Sequence, residues 1–243
     1  MAEDKEPGTA LVTGAGRRLG RAIALDLARA GWRIGVHCHA SKADALDLVA
    51  EIERGGGQAA PLVADLARTE ALAPLVEACA ERLGPPTLLV NNAARFAWDS
   101  IATLDEASWD AHLDVNLRAP VFLAQAFAST LPEGTKGQII NLLDQKIFRL
   151  NPEFFSYTVA KSALLAATTM LAQRSRSASG STPSRRGPCC LPPRRARRRS
   201  RRNAGQPRSG VAWASTRFLG RCVSCSPPPP SPARPSCSIR GSI

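Results

Sequence analysis

The chain has 243 residues, 32 Lys and Arg against 20 Asp and Glu, and a formal net charge of +12. Its distribution removes the nucleic-acid signature that the total suggests: residues 1–172 hold 16 basic and all 20 acidic residues, a net of −4, whereas residues 173–243 hold 16 Arg, no Lys and no acid. The body is long enough for one α/β domain with a buried core. It has only Cys38 and Cys79, no leader-like segment and no apolar run near the ~18 residues of a membrane span, so it reads as cytoplasmic, with no membrane partner and no specific nucleic-acid partner.

In chain order, Ala10 to Val12 reads as a short apolar strand running into a glycine-rich turn. From Leu19 to Ala30 apolar residues recur at helical spacing, and Gly31 is the stop. Trp32 to Val36 is a second strand, and Ala43 to Arg54 a second helix that ends in Gly55-Gly56-Gly57. Ala60 to Val63 and then Thr69 to Leu83 give a third strand and helix. Leu88 to Val90 is a fourth strand leading into Asn91-Asn92-Ala93. Ser108 to Thr130 reads as one long helix, Gln138 to Leu143 as a fifth strand and Ser156 to Ala172 as a last helix. Alternating β and α with continuous apolar strands predicts an α/β fold: a doubly wound, Rossmann-like parallel sheet with helices on both faces.

The turn Thr13-Gly14-Ala15-Gly16-Arg17-Arg18-Leu19-Gly20 sits where the first strand meets the first helix. Glycines there let a backbone approach a pyrophosphate, and the helix N-terminus offers free N–H groups. By itself such a turn is also an ordinary connection. It resembles the TGxxxGxG turn of the short-chain dehydrogenase/reductase family, with Arg18 where the middle glycine usually stands. That form is similar to the pteridine reductase branch, in which the arginine faces both cofactor phosphates and substrate. The resemblance implies cofactor contacts from Gly14, Arg17, Arg18, Leu19 and Gly20.

The second strand ends in His37-Cys38-His39-Ala40-Ser41. An acid here would bind a ribose 2′-hydroxyl and repel a 2′-phosphate; none is present and Arg17 is near, which favours NADP(H) over NAD. His39 and Ser41 match the branch's His-x-His-Arg-Ser stretch, while Ala40 lacks its arginine. The two histidines read equally well as solvated residues at a strand end, and without further ligands they imply no metal. Asp65-Leu66 after the third strand matches the family's adenine-contacting pair. Asn92-Ala93 matches its NNAG motif, with Ala94 in place of the last glycine.

Tyr157-Thr158-Val159-Ala160-Lys161 has the YxxxK spacing, which puts both side chains on one helix face, and Tyr157 is the only tyrosine in the chain. Hydride transfer to a carbonyl or imine needs a proton donor, and the neighbouring ammonium is expected to lower the tyrosine pKa from its ordinary value of about 10. Lys161 is also expected to hold the nicotinamide ribose. The resemblance assigns Asp144 the place of the family's serine, working with Tyr157 in protonation, and gives Asn116 the asparagine of a proton-relay tetrad. Phe96 falls where pteridine reductases stack an aromatic on the pterin; a core aromatic is the other reading. The resemblance therefore implies an NADPH-dependent oxidoreductase acting on a small-molecule carbonyl or pteridine-type C=N, in a family of homodimers and homotetramers.

From Arg174 onward helical periodicity stops, and Arg, Pro, Ser and Cys dominate. The plain reading is a disordered basic tail over residues 173–243. A sharper one is a shifted reading frame after about residue 173: codons chosen to encode residues 173–188, read from the third base, give ALALRIRVNAIAPGP, similar to the family's RVNxIxPG segment. Segments resembling the family's last helix and strand follow in the same frame. On that account the last strands of the sheet are missing, leaving an exposed edge, and Cys189-Cys190, Cys222 and Cys225 carry no metal or redox role. The competing function class is an inactive product whose Arg194–Arg202 cluster binds polyanions nonspecifically.

Overall fold

The computed structural model describes residues 8–177 and 213–218. Five strands run parallel: β1 (Thr9–Val12), β2 (Arg33–Cys38), β3 (Ala59–Val63), β4 (Pro86–Asn91) and β5 (Gly137–Leu142). Between them lie helices α1 (Arg18–Arg29), α2 (Lys42–Arg54), α3 (Leu72–Leu83), α4 (Glu106–Leu113) and α5 (Ala119–Thr130), and α6 (Phe155–Ser177) follows β5. The order across these five strands is β3-β2-β1-β4-β5, with the order of connection reversing between β1 and β4. Ligands of open α/β sheets bind beyond the strand carboxyl ends at such a reversal, so this topology sets where the site must be.

Alternation along the strands divides two cores. Leu11, Leu62, Leu89 and Ile139 face α3 and α5 with Leu75, Val76, Leu123 and Phe127. Ala10, Val12, Ile34, Val36, Leu88 and Val90 face the other way with Ala24, Ala45, Leu48 and Ile52. Being buried on both faces is why these strands read as unbroken apolar runs. Gly35 is required where α3 presses on β2, because a Cβ there would lie 2.8 Å from the Cys79 sulfur. Burial pushes the Cys79 thiol up to about 12, so it packs as an apolar group.

Three elements differ from the sequence reading. The long helix over 108–130 is α4, a π-helical turn (Asp114–Arg118) and α5; it starts two residues earlier because the Asp105 side chain caps it, accepting from the Ser108 N–H at 2.6 Å. Helix α6 continues to Ser177, past the expected end at Ala172. The third difference is β6 (Trp213–Phe218), which pairs antiparallel with β5 from Gly137 opposite Phe218 to Leu142 opposite Trp213. The β5 edge expected to be bare is thus paired. An unpaired strand edge is a row of free donors and acceptors, and residues 213–218 are a proline-free segment able to satisfy it. The rest of the predicted basic tail, with its cysteine pairs and arginine cluster, lies outside the described residues.

Gly35→Ala is expected to destabilise the fold by about 1–3 kcal/mol through overpacking. Urea unfolding checks this, and adding Cys79→Ala should recover part of the loss.

Candidate active site

The carboxyl ends of β1, β2 and β4 are joined by a small set of polar groups. Thr13, just after β1, donates its main-chain N–H to the Val90 carbonyl at 2.9 Å, and its hydroxyl accepts the N–H groups of Asn92 and Ala93, both at 3.0 Å. The Asn92 amide donates in return to the carbonyls of Thr13 (2.8 Å) and Gly14 (3.0 Å). Gly14 has φ +62°, and Gly20 leaves room for nothing larger: a Cβ there would meet the Gly14 oxygen at 2.2 Å and the Asn92 amide at 2.5 Å. These glycines bring α1's first turn flat against the β1–β4 edge.

Arg18, at the position where the family usually has glycine, has φ +49°, in the left-handed region. That conformation explains why glycine is the common residue there. Arg17 precedes α1 with no side chain capping the helix, so the first-turn N–H groups are left for an anion. Its guanidinium pairs with Asp44 at 2.5 Å, at the start of α2 beside Ser41, so that carboxylate is charge-paired.

His37 was legible as a solvated strand-end residue and is not one. It is 2% exposed; its Nδ1 accepts the Gly14 N–H at 3.1 Å, so the proton is on Nε2, 3.1 Å from the Ala64 carbonyl. The ring thereby ties the glycine turn to β3's end, and burial lowers its pKa to about 4. His39 is exposed, with Nε2 3.9 Å from the Asp65 carboxylate. Asp65 accepts the Ala67 N–H at 3.0 Å, and Leu66 is buried beside it. A cleft of about 440 Å³ opens between these turns, lined by Gly14, His37, His39, Asp65, Leu66 and Ala93 among others. Its size, the uncapped helix start and the lack of a free acid at the end of β2 fit an adenosine 2′-phosphate and pyrophosphate.

At β5's end the candidate catalytic residues meet. The Tyr157 hydroxyl donates to Asp144 Oδ2 at 2.9 Å, and Asp144 Oδ1 accepts the Lys146 N–H at 2.9 Å. Lys161, one turn along α6, donates to the Leu142 carbonyl at 2.9 Å, with its Nζ 6.0 Å from the Tyr157 ring centre. Burial, then the Asp144 charge and hydrogen bond, hold the Tyr157 pKa well above the ordinary phenol value. The direction is opposite to the lowering expected from Lys161. Desolvation dominates because Tyr157 is 6% exposed, and the nearest charge is a carboxylate. Lys161 itself is lowered to about 8, chiefly by burial, with Asp144 acting against that.

Phe96 is 57% exposed, so it is not a core aromatic. Its ring stacks on Phe154 (centroids 4.5 Å apart, planes at 8°) and meets the edge of Tyr157 at 4.8 Å. The Lys146 ammonium lies 4.5 Å over Phe154. Asn116, in the π-helical turn, is fully buried; its amide oxygen accepts the Arg95 N–H at 2.8 Å and its NH₂ donates to the Arg95 carbonyl at 2.9 Å. The amide thus clamps the Arg95 backbone from both sides. Sequence reasoning missed Thr13, His37 and Phe154, and also Asp99, His112 and Ser156, three buried polar residues behind Tyr157. Among the described residues no group of His, Cys, Asp and Glu could hold a metal ion, and no helix is long and apolar enough to cross a membrane.

Residues 8–179 match the family model for short chain dehydrogenase. Curated relatives include the 3-oxoacyl-[acyl-carrier-protein] reductase FabG of Staphylococcus epidermidis, 30% identical over 68% of this chain and 68% of that one. Another is the 2-dehydro-3-deoxy-D-gluconate 5-dehydrogenase of Dickeya dadantii, 31% identical over 67% and 64%. The chain spans about two thirds or less of such relatives, down to 63% for one of Rhizobium meliloti. Among solved structures, FolM alternative dihydrofolate reductase 1 of Brucella canis, complexed with NADP, is 42% identical, with TM-score 0.67 over 70% of this chain and 67% of that one. Landomycin C-6 ketoreductase LanV, with bound NADP and rabelomycin, is 32% identical, with TM-score 0.62 over 69% of each chain.

The sign of the His37 shift gives a stability prediction. Its folded pKa of about 4 lies below the unfolded value of 6.5, so the unfolded chain binds the extra proton first. Stability is fully present above pH 6.5 and falls by up to about 3 kcal/mol as the pH drops toward 4. Denaturant titrations at pH 7 and 4.5 measure it, and His37→Asn should flatten that slope.

Proposed function

This chain belongs to the short-chain dehydrogenase family, and we propose that it is an NADP(H)-dependent oxidoreductase that reduces a carbonyl or a pteridine-type C=N bond. The observation that carries this reading is the Tyr157–Asp144 hydrogen bond, set one helical turn from Lys161 and beneath the Phe96 ring.

Gly14, Arg17, Arg18, Leu19 and Gly20 would hold the cofactor phosphates, with His39 and Ser41 toward the 2′-phosphate. Asp65 and Leu66 would hold the adenine, and Asn92 and Ala93 the adjoining ribose region. Lys161 would fix the nicotinamide ribose. When bound, NADPH supplies the hydride. The chain's own part is the proton: the Tyr157 hydroxyl delivers it to the substrate nitrogen or oxygen, held in direction by Asp144, whose second oxygen is fixed by the Lys146 N–H. Burial, with a carboxylate in place of the family's serine, keeps the phenol protonated, which suits a donor and opposes the phenolate that oxidation of an alcohol requires. The site is therefore built for the reductive direction.

A planar bicyclic substrate is favoured by Phe96, exposed and set edge-on to the proton donor, with Arg18 and Asp144 as polar partners. The 42% identity to an alternative dihydrofolate reductase supports the same preference. The shifted frame after about residue 173 stands as our account of the arginine-rich tail; the nucleotide sequence across codons 165–180 decides it, since an intact frame in independent isolates overturns it.

Tyr157→Phe in the full chain should lower kcat at least about 100-fold while NADPH fluorescence still reports binding. Asp144→Ser removes the negative charge beside the phenol, so the alkaline limb of kcat for reduction should move to lower pH. Dihydrobiopterin, dihydrofolate and a simple ketone, each with NADPH and NADH, rank the substrates. Absence of any NADPH binding would overturn the reading in favour of the inactive, polyanion-binding product.

A further inference from the structure

Behind Tyr157, away from the cleft, three polar side chains with 0–2% exposure are joined: Asp99, Ser156 and His112. Ala97 donates its N–H to His112 Nε2 at 3.1 Å, which puts the imidazole proton on Nδ1. That proton faces the Ser108 carbonyl at 2.9 Å and Ser156 Oγ at 2.7 Å. The Ser156 hydroxyl in turn bonds Asp99 Oδ2, and both Asp99 oxygens lie 3.3 Å from the Ser156 N–H. The Asp99 main-chain carbonyl accepts the Phe154 N–H at 2.8 Å and so holds Phe154, which has φ +54°.

These are the residue types of a hydrolytic triad, wired differently. The serine hydroxyl points at the carboxylate, the second imidazole nitrogen is taken by Ala97, and no substrate can reach them. What the network does join is informative. Ser156 precedes Tyr157 at the start of α6, and Ala97 follows Phe96 in a segment with no regular secondary structure between β4 and α4. Backbone of that kind has no ladder to fix it, so its position depends on side-chain bonds such as these. A buried carboxylate is tolerable only when its lone pairs are satisfied, and a fully satisfied buried network is rigid.

We propose that Asp99, Ser156 and His112 are positioning residues that hold the proton donor Tyr157 and the substrate-facing Phe96 at a fixed mutual distance. The proposal rests on the reductase reading for its purpose, but its geometry can be tested without turnover. Tyr157 is the only tyrosine, so tyrosinate absorbance during an alkaline titration of the full chain reports this residue alone. The charged or titratable groups around it are Asp144, Lys161 and His112.

In Ser156→Ala and Asp99→Ala the hydroxyl should lose its hold on Asp144, and the tyrosinate midpoint should fall toward the ordinary phenol value while NADPH affinity is kept. His112 separates the two ends of the network. His112→Asn keeps a donor at the Nδ1 place and should retain the midpoint and kcat but raise KM, because Ala97 and Phe96 are released. His112→Gln keeps an acceptor at the Nε2 place and should retain KM but lose kcat by about tenfold or more. A midpoint unmoved in folded Ser156→Ala, or equal kcat and KM changes in the two His112 variants, overturns the proposal. If the parent chain reduces nothing, the tyrosinate midpoints still decide the positioning role, and the reductase reading alone falls.

Discussion

The Thr13 hydroxyl accepts from two successive main-chain N–H groups across the β1–β4 boundary, and the joining of the glycine turn to the Asn-Asn-Ala turn depends on that stitch. It lies at the point where the order of the strands reverses, between the neighbouring strands β1 and β4. With Asn92 bonding back to Thr13 and Gly14, the glycine turn and the Asn-Asn-Ala turn become one rigid piece. His37 adds the β3 turn to it. These joined turns frame the cleft, and the start of α1 beside it carries no side-chain cap.

On the substrate side the organising element is Asp144. A serine would offer both a donor and an acceptor; a carboxylate offers only acceptance. Together with burial, which is the larger cause, it holds the Tyr157 pKa above the ordinary phenol value and fixes the direction of the hydroxyl, while at Lys161 burial and the Asp144 charge act in opposite directions. Under the proposed function, proton delivery then relies on geometry, which is where the aromatic wall and the buried polar network behind it would matter.

The fold was legible because the five parallel strands are buried on both faces and separated by helices with clear stops. Gly14, Gly20, Asn92, Asp144, Tyr157 and Lys161 were legible because their spacing is fixed by where each strand ends. Residues whose roles come from long-range contact were not. His37 lies in β2 and His39 just past its end, and the contact of Ala64 with the first ring, which accompanies its burial, joins residues 27 positions apart. Asp99, His112 and Ser156 come from three separate segments, with no periodicity linking them. The sign of the Tyr157 shift was misjudged because sequence shows a lysine four residues away and cannot show how much water is excluded. The strand at Trp213–Phe218 was missed because its surroundings in sequence are rich in Pro and Arg, while the hydrogen bonds that recruit it belong to β5.

Arg18 has a consequence for engineering. A side chain held in the left-handed region costs about 1 kcal/mol relative to glycine. A library selected only for heat resistance would therefore favour glycine at position 18 and count it as an improvement. Under the proposed function the same exchange removes the cation shared by cofactor and substrate, so thermal selection and selection for turnover would pull this one position in opposite directions.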